Sequence, residues 1–263
     1  MATDLGAGIW AVVLGVAAAA AAGAVAATRA LAGRAHLDEH GRRRAVLGAG
    51  ALVGGWLALW TVLGAFGFFR ARSEGFPLIV IGIAVPLGAA TVLLRRSPTF
   101  RRLADVAPQS WLVGVQSART LGGIFLVIHA WGRLPAEFAY PAGIGDVLVG
   151  IAAVPVAWAL AKRRPGARGG AITFNIAGLA DFVVAVGTGF LAAPSPVRAL
   201  FTNPSTEIMT VLPLVLVPVF LVPAWTIVHV LSLRGLLRSR TALDEVAPRP
   251  VPQRTAAARI RAS

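Results

Sequence analysis

Apolar runs long enough to cross a bilayer recur seven times along this chain, over residues 6–27, 45–66, 76–94, 111–131, 139–161, 171–192 and 209–232. A hydrocarbon core about 30 Å thick takes roughly 20 helical residues, and each of these runs meets or approaches that length. Inside hydrocarbon every backbone N–H and C=O needs a partner from the chain itself. That leaves helices or a closed barrel, and continuous apolar blocks of this length predict helices. Only 14% of the residues are charged, against about a quarter in soluble domains. The expected fold is all-α, a polytopic membrane bundle of about seven transmembrane helices over residues 1–232. The basic tail, 233–263, has no apolar periodicity and is expected to be disordered.

Orientation follows from where the basic residues fall. Arg29, Arg34, Arg42, Arg43 and Arg44 follow the first run; Arg95, Arg96, Arg101 and Arg102 the third; Lys162, Arg163, Arg164 and Arg168 the fifth; and the tail is rich in arginine. The alternate loops hold Arg70, Arg72, Arg133 and Arg198. The positive-inside rule therefore places the N-terminus outside and the C-terminus in the cytoplasm, with Arg234, Arg238 and Arg240 near anionic headgroups. The first run is read as a retained helix rather than a secretory signal, because only Asp4 precedes it and its arginines follow it. Its Gly15, Ala19, Gly23 and Ala27 at four-residue spacing suit close helix contacts or serve as apolar filler, and a homo-oligomer is among the expected partners of the protein. Trp10, Trp60 and Trp131 are expected at outer interfaces, Trp111, Trp158 and Trp225 at inner ones, and Trp56 inside the bundle. Pro213, Pro218 and Pro223 predict a kinked or partly unwound last span.

A charge in hydrocarbon is costly, so intramembrane ionisable residues are functional candidates by default. Here they are Arg119, His129, Glu137, Asp146, Asp181 and His229, joined by the polar Asn175 in a ladder that could carry a proton or a small polar solute. Gly143, Asp146 and Gly150 share one helix face, and Gly178, Asp181 and Ala185 another, so each aspartate lies among small residues where helices pack closest. Counting 1.5 Å per residue from the run ends makes Arg119 and Asp181 the natural ion pair and sets Asp146 about 5 Å nearer the outer face. The segments around Asp146 and Asp181 also match at an alanine, a glycine and a valine. An inverted repeat or chance would account for that match. A structural reading, an ion pair that fixes helix register, stands beside the functional one.

Arg119, Gly122, Gly123 and Phe125, then Leu134, Pro135, Phe138, Pro141, Ala142, Gly143, Gly145 and Asp146, form a pattern that is similar to an uncharacterised family of bacterial integral membrane proteins. Asn175, Gly178, Asp181 and His229 continue it. The resemblance implies a bacterial cytoplasmic-membrane address and carries no activity. Gly143-Ile144-Gly145-Asp146 also fits the G-x-G-D signature of intramembrane aspartyl proteases, with Asp146 and Asp181 as the pair. Against that, the second aspartate follows the motif, and neither Tyr-Asp nor Pro-Ala-Leu occurs where those enzymes have them.

Other chemistry finds little footing. The net charge of +14 comes from short clusters between spans rather than from a basic surface with interleaved aromatics, so no nucleic acid is expected. His36-Leu37-Asp38-Glu39-His40 has the H-x-x-E-H spacing of a zinc site but no further ligand nearby, and no metal or other cofactor is expected. The only lysine, Lys162, is in a loop, and no phosphate-binding glycine loop or nucleophile elbow is present. The expected protein is non-enzymatic, with lipid as its surroundings and its substrate unknown.

Overall fold

The computed structural model describes residues 5–74 and 76–246. These residues form helices and no strand, and seven helical spans are long and apolar enough to cross a membrane. The chain is a multi-pass membrane protein.

The first two spans are α1 (Gly6–Arg34) and α2 (Glu39–Ala65), which pack on each other. Asp38 begins α2 as its N-cap, accepting a hydrogen bond from the Gly41 N–H at 3.0 Å, so the acidic part of the H-x-x-E-H sequence serves to start a helix. Then α3 (Ile79–Arg96) crosses, and a short helix, α4 (Pro98–Asp105), follows it with the Ser97 hydroxyl as N-cap and Pro98 in its first turn. The fourth span is composite: α5 (Gln109–Gly114), a 3₁₀ segment (Val115–Gly123) and α6 (Ile124–Ala130). Next come α7 (Ala136–Ala161) and α8 (Ala167–Ala192). After a 3₁₀ turn (Glu207–Thr210) the chain re-enters through a π-helical segment (Val217–Leu221) that leads into α9 (Val222–Val246).

The broken seventh span is the centre of the bundle. Leu214, Val215, Leu216, Val219, Phe220 and Leu221 are all buried, as non-α backbone at membrane depth must be if its polar groups are not to meet lipid. Its prolines leave carbonyls without their helical donors, and so does Pro86 in α3. The indole of Trp60 donates to Gly82 O at 3.2 Å, and Pro86 is the residue four further on that has no N–H to offer. The indole of Trp56, one turn earlier on α2, donates to Val219 O at 3.2 Å, with Pro223 four residues on. Trp56 packs on Phe220 at 4.5 Å between ring centroids, as expected of a bundle residue. Trp60 and Trp225 are also buried within the bundle.

At the arginine-rich end, Arg34 stacks on Trp111, Arg168 donates to Leu236 O at 3.0 and 2.8 Å, and Asp105 takes Arg234 at 2.6 Å and Arg238 at 3.1 Å. The chain from Leu233 was expected to be disordered. It is helical as far as Val246, because Leu236 is buried and α4 supplies the counter-charge for two arginines one turn apart. The rest of the expected tail lies outside the described residues.

Candidate functional site

The site is assembled on the 3₁₀ segment, where side chains three residues apart lie in line. Gln116, Arg119 and Gly122 share that row, and Arg119 is 1% exposed. Its guanidinium donates from Nε to Asp146 Oδ1 at 2.7 Å, from Nη2 to Asp181 Oδ2, and from Nη1 to the Gly178 carbonyl at 3.2 Å. It lies 3.8 Å from the centre of the Phe182 ring. One arginine thus bridges α7 and α8 through two carboxylates.

The expected pairing of Arg119 with Asp181 is present, and Asp146 joins it. The expected offset in depth between the aspartates is corrected by the helix ends. Because α7 begins at Ala136 and α8 ends at Ala192, Asp146 and Asp181 each lie about 15 Å from the same end of the bundle.

A directional network extends from Arg119 toward the arginine-rich end. Arg119 Nη1 carries only hydrogens, so at 3.2 Å His229 Nε2 must accept; Nδ1 then carries the ring proton and donates to Asn175 Oδ1 at 2.8 Å. Asn175 Nδ2 donates to Ala171 O at 2.7 Å and to Ser232 Oγ at 2.9 Å, and Ser232 donates to Gln109 Oε1 at 2.8 Å. Every donor points away from the aspartates, an arrangement in which each bond polarises the next. It is not a continuous proton wire, since neither a guanidinium nor an amide releases a proton at ordinary pH.

Arg119, Asp146, Asn175, Asp181 and His229 therefore form one cluster. His129 and Glu137 do not join it. His129 Nδ1 lies 2.7 Å from Leu134 O and its ring meets Tyr140 edge-on, which ties the turn between α6 and α7, while Glu137 and Glu207 are exposed. A turn that needs a side chain to occupy a free carbonyl explains His129 without the ladder. Sequence reasoning missed Gln109, Gln116, Ser232 and Phe182. Gln116 and Ser232 sit one and one turn from Arg119 and His229 in helical register, and that spacing was the available signal.

The glycines of the pattern have a steric reason. A methyl group at Gly145 would run into the Asp181 carboxylate, one at Gly122 into that of Asp146, and one at Gly178 would come 2.5 Å from the His229 ring. Of the two glycines in the G-x-G-D sequence, Gly145 makes room for the Asp181 carboxylate and Gly143 for the side chain of Leu126.

Asp146 is held on one side only. Oδ2 has no hydrogen bond among the described residues, and the side chain is 17% exposed. It lines an otherwise apolar cavity of about 70 Å³ with Phe125, Phe138, Phe182, Phe190, Met209 and Val217. Thr206 and Thr210 also line it, but each hydroxyl already donates to a backbone carbonyl at 2.7 Å. Ile79, Phe190, Ala193 and Thr210 are shared with a second cavity of about 240 Å³, lined by Arg70, Arg72, Glu74 and Ser195 at the end opposite the arginine-rich one. No group of three or more metal-ligating side chains occurs among the described residues.

Fold and cluster together define a helical membrane protein with a buried arginine–dicarboxylate site beside an apolar cavity. The family model described as Domain of unknown function (DUF8737) matches residues 76–237, more than half of the chain, and the protein belongs to that family. The match takes in α3 and everything that builds the cluster and its cavity, and leaves out α1 and α2. No curated protein and no solved structure matches the chain.

Proposed function

We propose that the protein is a non-enzymatic, transport-type bundle that moves a proton or a small solute across the membrane, with Asp146 as the point of uptake. The observation that carries this reading is Asp146, bonded through one oxygen and partly exposed, among the residues that line the cavity. A cluster built only to fix helix register gains nothing from a carboxylate left partly unpaired, because an uncompensated charge there is costly. Two carboxylates also share one guanidinium, so the cluster is short of one positive charge when both are ionised. Irregular backbone on two sides of the site, the 3₁₀ segment at Arg119 and the π-helical segment at Val217–Leu221, supports a mobile element, since such stretches recur at hinges and functional sites. Transfer past Arg119 proceeds by a change in its contacts and not along a fixed wire.

In this reading the chain sits in the bacterial cytoplasmic membrane with its N-terminus outside and the cavity facing outward, and its arginine-rich end lies against anionic headgroups. A proteolytic role is less well supported: the guanidinium lies between the two carboxylates, where the water of an aspartyl dyad would have to be.

The test is flux in proteoliposomes under an imposed pH gradient, read with an entrapped pH dye and a panel of labelled small solutes. Wild-type protein should show a flux that Asp146→Asn lowers at least tenfold while its thermal unfolding stays within a few degrees. Equal flux in the two proteins, or none above empty liposomes, would sink the proposal.

A further inference from the structure

We propose that the larger cavity, at the end opposite the arginine-rich one, is a binding site for a small organic anion: one carboxylate or phosphate group on an apolar body about the size of a benzene ring. Arg70, Arg72 and Glu74 are among the residues that line this space of about 240 Å³, and all three are exposed. None of their side chains has a hydrogen bond or an ion pair among the described residues. Arg198, at the same end, is by contrast spent on the Leu200 and Thr202 carbonyls and on the Phe201 ring. The chain that carries the two free guanidiniums is held in place, because the Ala71 N–H between them donates to Thr210 Oγ1 at 2.9 Å and the Arg70 N–H to Gly67 O at 3.1 Å. Ser195 is also in the wall, and its buried hydroxyl has no partner among the described residues, a state in which buried polar groups are seldom left.

Charge, wall chemistry and size choose the occupant. Two guanidiniums and one carboxylate leave one positive charge over, which a monoanion neutralises, and the planar fork of a guanidinium suits the oxygens of a carboxylate or phosphate. A cation would be drawn to Glu74 but repelled by both arginines, and a metal ion would find one carboxylate where it needs several oxygens. Much of the remaining wall is apolar, with Phe76, Leu78, Ile79, Phe190 and Pro194, so an inorganic ion would leave it unused. About 240 Å³ exceeds the ~150 Å³ of an apolar cavity that takes up benzene, so a ring-sized body and its charged group both fit. The site goes beyond the transport reading and does not depend on it, since Asp146 is not among the residues that line it.

The experiment titrates the full chain, in nanodiscs of zwitterionic phosphatidylcholine at low salt, with three compounds of one shape: benzoate, neutral benzamide and cationic benzamidine. Calorimetry is expected to show benzoate at one site per chain, with the other two at least tenfold weaker. Raised salt should weaken benzoate, since charges this exposed are screened. Arg70→Gln and Arg72→Gln should each weaken it several-fold and the double variant at least tenfold, while Glu74→Gln should tighten it. Thermal unfolding checks that the variants keep the wild-type fold, and the comparison of the three compounds needs only the wild-type protein. A second arm places anionic phosphatidylglycerol in the bilayer. Unchanged benzoate affinity there assigns the anion to solution; displacement of benzoate, with the unfolding temperature raised more in wild type than in the double variant, assigns it to a lipid headgroup, and either result keeps the anion site. No benzoate binding in phosphatidylcholine at millimolar concentration, benzamide or benzamidine binding as tightly as benzoate, or undiminished benzoate binding by the folded double variant would overturn the inference.

Discussion

Gly145 and Asp181 meet across the α7–α8 interface so closely that the aspartate carboxylate occupies the space a methyl group on Gly145 would need. Asp181 cannot retreat without leaving Arg119, which holds it from the other side. Gly145→Ala should therefore lower stability by about 3 to 5 kcal/mol, the range for breaking a buried ion pair, rather than by the ~1 to 3 kcal/mol of ordinary overpacking. In an Asp181→Ala background the same substitution should cost far less. Thermal or denaturant unfolding in detergent measures both, and an equal cost in the two backgrounds would separate the glycine from the carboxylate.

Removing the arginine is expected to be worse than removing either acid alone. Arg119→Ala leaves two carboxylates facing each other, with a loss of at least about 3 to 5 kcal/mol. Arg119→Lys should recover little, because an ammonium cannot reach two carboxylates, a carbonyl and an imidazole from one planar fork. The Arg119→Ala and Asp181→Ala pair should cost less than the sum of the single changes, and strict additivity would show that the contact contributes nothing.

How far the sequence foretold this arrangement depends on the residue. The seven spans were legible because apolar length is a property of each segment by itself. Arg119 and Asp181 could be paired because depth along a helix is nearly a matter of counting. Asp146 escaped the pairing because the count began at the wrong helix end: Ala136 to Phe138 look like loop beside Pro135 yet are the first turn of α7. The network from His229 through Asn175 to Ser232 and Gln109 was not legible as a whole. Its members come from α5, α8 and α9, and which faces of those helices meet is decided by packing that no single segment encodes. The 3₁₀ geometry at Arg119 has no evident marker in the sequence either.

The tryptophan–proline pairs make a separate prediction. Trp60→Phe should leave Gly82 O unsatisfied and cost about 1 to 3 kcal/mol. Pro86→Ala restores a backbone N–H four residues beyond Gly82, so Trp60→Phe should be milder in that background. A double-mutant cycle on unfolding free energies reads the difference, and a coupling near zero would mean that the indole is not serving that carbonyl.

Orientation is checked by fusing a phosphatase that is active only outside the cytoplasm. Fused after Ser263 it should be silent, and inserted between Arg198 and Phe201 it should be active. The opposite pattern would invert the assignment of both ends and turn the Asp146 cavity toward the cytoplasm.

The central place of the seventh span bears on how the molecule is made. Of the seven spans, Val217–Arg238 has the largest buried share, 44% of its apolar stretch against 28% or less for each of the others. It is also the one synthesised after the other six. While the ribosome is still producing it, Arg119 has its aspartates but not His229, the indole of Trp56 lacks Val219 O, and the Asn175 amide lacks Ser232 and His229. Until the proline-broken segment arrives the six earlier helices lack the residues that cover their buried faces, so a chain truncated before Val217 is expected to be less stable in the membrane than the full one.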